Sequence, residues 1–178
     1  MPLPLETERL VVRETRLEDA AGHFEVLGDP EVTAFLPIDP APSVDWVRER
    51  LQARIERAEA TGFGMWTVEE KTSRSVVGSC GLVLVEGTGP EIEVAYQFGR
   101  KHWGKGYATE AAAACVKYGF DELGLARIVG LTFPDNVASQ RVLEKVGLRR
   151  EGAGEYYGQE LLVFAIAHPD AQVDRSRA

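Results

Sequence analysis

The stretch EVAYQFGRKHWGKGYATE, residues 93–110, decides how this chain folds. Its first six residues favour a β-strand, glycines 104 and 106 predict a tight turn, and an Ala-rich pattern from Tyr107 predicts a helix. Glycine lets the backbone approach a ligand closely, and the free N–H groups of a helix's first turn point toward anions. We therefore expect this turn to cradle a pyrophosphate, helped by the positive charges of Arg100, Lys101 and Lys105.

Two other nucleotide-binding motifs resemble this stretch, but neither of them fits it. Residues 99–105 spell GxxxxGK, yet Gly106 stands where a P-loop needs the Ser or Thr hydroxyl that holds magnesium. A dinucleotide fingerprint needs a third glycine and a place near the first strand, and residues 104–109 provide neither. An NTPase and an NAD-binding protein are both disfavoured.

Around this stretch the hydrophobic periodicity predicts one mixed sheet. Helical patterns cover about 17–27, 44–60, 107–123 and 136–146, and strand-like patterns cover 9–14, 63–70, 75–85, 91–98, 127–133 and 161–167. The order β α α β β β α β α β β, in which one further strand follows the last helix, indicates an α/β (α+β) fold with a mostly antiparallel central sheet flanked by helices. We expect a single domain over residues 1–170 and a disordered tail over 171–178.

Composition limits the class of partner. The chain has 178 residues and a formal net charge of −8, which disfavours nucleic acid, since binding to phosphates needs clustered Lys and Arg. No run of about 18 apolar residues and no signal-peptide pattern occurs, so we expect a cytoplasmic protein that does not enter a membrane. Cys80 and Cys115 form no CxxC pair and are expected to be reduced core thiols. The three histidines lack ligand spacing, so no metal is predicted.

Several stretches resemble one enzyme family. WGKGYATEA (103–111) resembles the acyl-CoA pyrophosphate loop of the GNAT superfamily of N-acetyltransferases, in its ribosomal-protein N-terminal acetyltransferase-like (RimJ/RimL-type) branch. LETERLVVR (5–13) resembles that branch's first strand, DPEVTAFL (29–36) its early helical region, and DNVASQRVLEKVGLRREG (135–152) its later helix and strand. The resemblance covers nearly the whole chain in the expected order.

The resemblance implies the GNAT fold and an acetyl-CoA-dependent N-acetyltransferase. Its acceptor would be a primary amine, on a small molecule or a protein N-terminus. This amine would attack acetyl-CoA directly in a ternary complex. The enzyme would be a monomer or homodimer. The alternative is an acyl-CoA-binding sensor without turnover. The matching positions imply that the following residues bind the cosubstrate: Tyr96, Gln97, Phe98, Lys101, Trp103, Gly104, Lys105, Gly106, Tyr107, Ala108, Thr109, Asn136 and Ser139.

The resemblance also suggests catalytic residues. Glu93 matches the acidic strand position and is the candidate general base, with Glu91 as runner-up on the same face of the strand. Ser139 matches a position near the thiol of CoA and is the candidate general acid. Asn136 is also predicted to be the N-cap of the helix that follows it. In other branches of the GNAT superfamily a tyrosine is the general acid. The spacing of Tyr156 and Tyr157 in the sequence is not enough to assign this role to either of them. Acceptor choice is expected to depend on residues 28–45 and 152–160.

Overall fold

The computed structural model describes residues 3–169 and contains one eight-stranded sheet. Its order is β1-β2-β3-β4-β5-β6-β8-β7, and every neighbouring pair is antiparallel except β5 and β6, which run parallel. The strands are β1 (Leu5–Glu6), β2 (Leu10–Arg13), β3 (Met65–Glu70), β4 (Val76–Leu84), β5 (Ile92–Phe98), β6 (Arg127–Thr132), β7 (Arg149–Tyr156) and β8 (Gln159–Ala167).

Five α-helices accompany this sheet in the described part of the chain. They are α1 (Ala20–Leu27), α2 (Pro30–Thr33), α3 (Val44–Thr61), α4 (Tyr107–Asp121) and α5 (Val137–Val146). Local chemistry sets their ends: the Ser43 hydroxyl accepts from the Trp46 N–H at 3.2 Å at the start of α3, and Gly62, with φ of 79°, ends it. The helix boundaries therefore follow from capping residues visible in the sequence.

The core has one main part between the sheet and α4, and a smaller part under α1 and α3. Small residues of α4, namely Ala111, Ala112 and Cys115, are fully buried against strand residues such as Leu82. The smaller part contains Leu27, Val47 and Leu51. These two layers place α4 and α5 on one face of the sheet and α1 and α3 on the other, so β5 and β6 can be approached from both faces.

The fold class predicted from the sequence is confirmed, and the differences lie at element ends. The predicted first helix begins as a 3-10 turn at Leu17–Asp19, and α4 ends at Asp121 rather than at residue 123. The short β1 was not predicted, because a two-residue strand carries no periodic signal. The predicted tail, 171–178, lies outside the described residues.

Candidate active site

The two parallel strands β5 and β6 separate in the middle of the sheet. Their register joins Glu93 to Val129, and β5 continues to Phe98 paired along its whole length with β4 instead. Main-chain groups on the β6 side of β5 are therefore free of a strand partner over the last part of β5 within the described chain. This geometry gives an extended ligand a strand edge to pair with.

A cavity of about 720 Å³ occupies this gap. It is lined by Glu93 and Gln97 on one face of β5, and by Tyr96, which points to the other face. The faces follow from register: Ser79 and Gln97 are opposite each other, as are Cys80 and Tyr96, and neighbouring strand residues alternate. Side chains from both faces of β5 therefore line the cavity.

The predicted glycine turn lies at one end of this cavity. Gly104 and Gly106 have φ values of 73° and 81°, in the left-handed region that favours glycine, and both line the cavity. A Cβ at Gly104 would meet no atom of the described chain within 4 Å, so the backbone there faces open space. No side chain of residues 3–169 caps the first turn of α4. An anionic group would thus find free N–H donors and the positive end of the helix dipole.

Arg9 supports this turn from the neighbouring strand end. Its Nη1 donates to the Lys105 carbonyl oxygen at 2.9 Å, and its Nη2 lies 2.6 Å from Glu110 Oε2. Its guanidinium also lies over the Tyr107 ring, 4.8 Å from the centroid. Sequence reasoning did not find Arg9, since it precedes the turn by almost a hundred residues.

The structure brings most of the predicted cosubstrate-binding residues together along the cavity, but not all of them. The cavity wall includes Tyr96, Gln97, Phe98, Trp103, Gly104, Gly106, Tyr107, Ala108, Thr109, Asn136 and Ser139. Lys101 and Lys105 are not part of this wall. Lys101 pairs with Glu25 on the surface at 2.7 Å, and the Trp103 indole N–H donates to the Phe98 carbonyl oxygen at 2.7 Å.

Residues at the start of α5 line the cavity on the α4 side of the sheet. The Asn136 side-chain oxygen accepts from the Ser139 N–H at 3.0 Å, so Asn136 caps the helix as predicted. The Ser139 hydroxyl lies 2.9 Å from the Tyr96 hydroxyl, and burial raises the pKa of Tyr96 above its ordinary value. The pair therefore stays protonated at neutral pH. Thr132 adds a buried hydroxyl to this wall with no hydrogen-bond partner in the described chain.

Glu93 is buried at the point where the strands part, with 8% of its surface exposed. The Leu131 N–H donates to Oε1 at 3.3 Å, and the Tyr157 hydroxyl donates to Oε2 at 3.4 Å. Burial raises the pKa of Glu93 to about 7, although both hydrogen bonds act in the opposite direction. A carboxyl group with a pKa near 7 can accept a proton and release it at neutral pH.

The neighbouring carboxylate, Glu91, has a different environment. It accepts from Arg127 Nε at 3.1 Å, its side chain is 38% exposed, and it does not line the cavity. Its geometry is that of a surface ion pair, so the runner-up for the base lies away from the cavity.

Tyr157 lines the cavity and falls within residues 152–160, which were expected to affect acceptor choice, although spacing alone did not predict its contact with Glu93. Its N–H donates to Glu86 Oε1 at 2.8 Å, and its hydroxyl accepts from the Glu86 N–H at 3.0 Å. Both residues have φ of 53°, an unusual conformation for residues other than glycine. The reciprocal bonds hold the phenol beside Glu93, and strained backbone of this kind often occurs at functional sites.

Other predicted features fall outside this site. Cys80 and Cys115 are free and fully buried, and burial, followed by the neighbouring Cys115, raises the pKa of the Cys80 thiol. Residues 3–169 contain no cluster of three or more His, Cys, Asp or Glu side chains placed to hold a metal ion. No helix in this part of the chain is both long enough and apolar enough to span a membrane.

Comparison with known proteins assigns the family. The acetyltransferase (GNAT) domain matches residues 9–149. A Bacillus licheniformis protein named uncharacterized N-acetyltransferase p20 is 34% identical over 148 residues, which cover 83% of each chain. A crystal structure of a GNAT-family acetyltransferase from Bacillus anthracis superposes with a TM-score of 0.80 at 28% identity, covering 93% of this chain and 98% of that one.

The fold also matches that of Mycobacterium smegmatis RimJ, solved in complex with CoA-disulfide. The TM-score is 0.77 at 20% identity, and the match covers 94% of this chain and 90% of that one. The chain belongs to the GNAT acetyltransferase family and is an N-acetyltransferase with the GNAT fold. Family membership implies acetyl-CoA as the donor and an amine as the acceptor.

Proposed function

We propose that this protein transfers the acetyl group of acetyl-CoA directly to a primary amine in a ternary complex, with Glu93 as general base. The observation that carries the proposal is the position of Glu93: a buried carboxyl group at the separation of β5 and β6, inside a cavity lined from both faces of the sheet. We further propose that residues 1–170 form one catalytic domain.

The residues toward α4 and α5 fit the donor. Gly104, Gly106 and the first turn of α4 offer free N–H groups for the pyrophosphate, and the β6-facing edge of β5 can pair with the amide groups of the pantetheine arm. Acetyl-CoA supplies an activated thioester carbonyl when it is bound there. A main-chain N–H near Tyr96 or Gln97 would donate to the carbonyl oxygen as negative charge develops on it.

The acceptor amine would enter from the face that carries Glu93. A lysine-like amine with a pKa near 10.4 is protonated at neutral pH, and removing its proton costs roughly 4–5 kcal/mol at pH 7. Glu93, whose pKa is about 7, is partly ionised at that pH and can take the proton directly or through a water molecule. The neutral amine nitrogen then forms its bond to the acetyl carbon, and the second proton that this nitrogen must lose passes to solvent water as the carbonyl reforms and the carbon–sulfur bond breaks.

The sulfur departs toward the opposite face, where the Ser139 and Tyr96 hydroxyls lie 2.9 Å apart. Ser139 would give a proton to the thiolate as the carbon–sulfur bond breaks and would regain one from solvent water when the products leave, while the Tyr96 hydroxyl stays protonated and holds the Ser139 hydroxyl in place. The base and the acid thus lie on opposite faces of β5, so the proton taken from the amine and the one given to sulfur follow separate routes.

Steady-state release of thiol from acetyl-CoA, measured with a panel of primary amines and N-terminal peptides, tests this proposal. We expect acetylated amine and free CoA in equal amounts, and a rate that depends on both substrates. Binding of acetyl-CoA without amine-dependent thiol release across the panel would indicate a sensor. Failure of acetyl-CoA to raise the melting temperature would contradict the assignment of the donor site.

A further inference from the structure

Arg54, in the middle of α3, lines the cavity on the face that carries Glu93. Its Nη1 lies 3.4 Å from the hydroxyl oxygen of Ser79, which is opposite Gln97 in the sheet. Gln97 and Glu93 are four residues apart on β5, so their side chains share this face. Arg54, Gln97 and Glu93 therefore form one wall, on the side of the sheet away from the Ser139 hydroxyl.

The charge of Arg54 is not balanced by any carboxylate of the described residues. No ion pair within residues 3–169 involves it, and the charged groups acting on it are Arg50 and Arg57 of the same helix. Asp19, the buried carboxylate beneath α1, is already bound by Arg13 through two hydrogen bonds of 2.8 Å. Burial, and then repulsion by Arg50 and Arg57, lowers the pKa of Arg54 to about 10, so it remains charged at neutral pH.

Gln97 provides a second, independent indication that this wall binds a polar ligand. The residue is only 8% exposed, it lines the cavity, and its Nε2 has no hydrogen-bond partner in the described chain. A buried amide donor without an acceptor is destabilising, because it has lost its hydrogen bonds to water and gained none from the protein. Such groups in native proteins commonly bind a ligand or an ordered water.

We propose that the acceptor of this enzyme carries a carboxylate as well as its amine, and that Arg54 and Gln97 bind that carboxylate. The inference rests on the proposed function, because it defines which amines Glu93 can deprotonate. The guanidinium offers five N–H donors in a planar fork that matches a carboxylate, and its single long contact with Ser79 leaves most of them available. The wall thus has a base for the amine and donors for an anion.

The spacing of these groups limits the acceptor. Four strand residues separate Glu93 from Gln97, about 13 Å between their Cα atoms. Ala95, which lies between them on the same face, lines the cavity with a small side chain and leaves room for a short aliphatic segment. The matching compounds are amino acids, and peptides whose first residues carry an acidic side chain.

The test compares matched acceptors that differ in the anionic group alone. Each pair contains a carboxylate and its amide, such as glutamate with glutamine, β-alanine with β-alaninamide, and Asp-Ala-Ala amide with Asn-Ala-Ala amide. We expect wild-type kcat/KM to favour the carboxylate in the preferred pair. Arg54→Gln should lower kcat/KM for that carboxylate by about 10- to 100-fold, leave its amide within threefold, and leave KM for acetyl-CoA unchanged.

Arg48→Gln is the matched control. Arg48 is an exposed arginine of α3 that pairs with Asp45 and does not line the cavity, so its replacement should preserve the preference for carboxylates. Arg54→Lys keeps the charge but loses the planar fork, and we expect an intermediate effect. The pair that responds to Arg54→Gln identifies the source of the carboxylate, either a free amino acid or a peptide.

A readout without turnover accompanies the kinetics. With CoA saturating, N-acetylated carboxylates should raise the melting temperature of the wild-type protein, their amides should not, and Arg54→Gln should abolish the difference. If carboxylates and amides are acetylated equally well, or if Arg54→Gln raises KM for acetyl-CoA instead, the inference is wrong while the proposed function stands. If no amine is acetylated and acetyl-CoA does not bind, the proposed function fails as well.

Discussion

Glu93 of β5 lies opposite Val129 of β6 at the place where these two parallel strands separate. The same residue thus marks the end of strand pairing and provides the carboxyl group of the cavity. Because the sheet opens there, a ligand held along β5 from the α4 side comes within reach of a group on the α3 side. This relationship would place the proposed base next to an acyl donor held along β5.

Replacing Glu93 by Gln tests its role as base. The variant keeps the size of the side chain and removes its ability to accept a proton, so turnover at pH 7 should fall by about 10²- to 10⁴-fold. Binding of acetyl-CoA should be unchanged, and activity should recover as the pH rises toward the pKa of the amine. The measurement is kcat between pH 6 and pH 10.

Glu91→Gln is the matched control, since Glu91 lies two residues away in an ion pair with Arg127 and does not line the cavity. It should keep most of the wild-type turnover. Full activity of Glu93→Gln at pH 7 would show that Glu93 is not the base.

Tyr157 is expected to tune Glu93 rather than to take part in the reaction itself. Its hydroxyl donates to Glu93 Oε2 at 3.4 Å, and this bond favours the ionised carboxylate. Tyr157→Phe should therefore raise the pKa of Glu93 and move the acidic limb of the kcat/KM profile upward by up to about one pH unit. Tyr156→Phe changes the adjacent tyrosine in the same way and should leave the limb in place. An unshifted limb in Tyr157→Phe would remove Tyr157 from the mechanism.

Gly106→Val tests the donor site. A valine at φ of 81° is strained, and its Cβ would lie 3.4 Å from Arg9 Nη2, which supports the turn proposed to bind the pyrophosphate. We expect Kd for acetyl-CoA, measured by calorimetry, to rise at least tenfold. Gly124→Val is the matched control, because Gly124 also has a positive φ, of 63°, but follows the opposite end of α4. Equal weakening in both variants would mean that backbone strain, not the cradle, explains the loss.

The features predicted correctly from the sequence are those with a local signal. The glycine turn before α4 and the Asn136 cap of α5 depend on residues within a few positions of each other, and the structure contains both. The prediction that Glu93 shares one face of its strand with Glu91 depended only on the alternation of side chains along a β-strand. These signals were sufficient for the fold class and for the turn and helix cap that line the cavity.

The acceptor side could not be predicted in the same way. Arg54 comes close to Ser79 and Gln97 only because α3 packs across the sheet, and its spacing within α3 resembles that of any solvated arginine. Residues 28–45 and 152–160 were expected to govern acceptor choice, whereas Arg54 lies outside both ranges. Tyr157 reaches Glu93 from 64 positions away, through a turn whose conformation is fixed by Glu86.

The raised pKa of Glu93 also makes a prediction about stability. Its pKa is about 7 in the folded protein and close to 4.3 in an unfolded chain, so the folded state holds the proton more tightly. Below pH 4 both states are protonated and burial of this carboxyl costs no ionisation energy. Between about pH 4 and pH 7 the unfolded state loses its proton first, and stability falls as the pH rises. Above pH 7 the full cost remains, up to about 4 kcal/mol.

Glu93→Gln removes this cost, because glutamine does not ionise. Its free energy of unfolding should exceed that of the wild type by up to about 4 kcal/mol at pH 8, and the difference should shrink steadily toward pH 5. Urea unfolding at pH 5, 6.5 and 8 measures this trend, with Glu59→Gln, at an exposed position of α3, as a control whose difference from wild type should not vary with pH. A difference for Glu93→Gln that is the same at all three pH values would contradict the raised pKa, and with it the reason for assigning Glu93 as a base active near neutral pH.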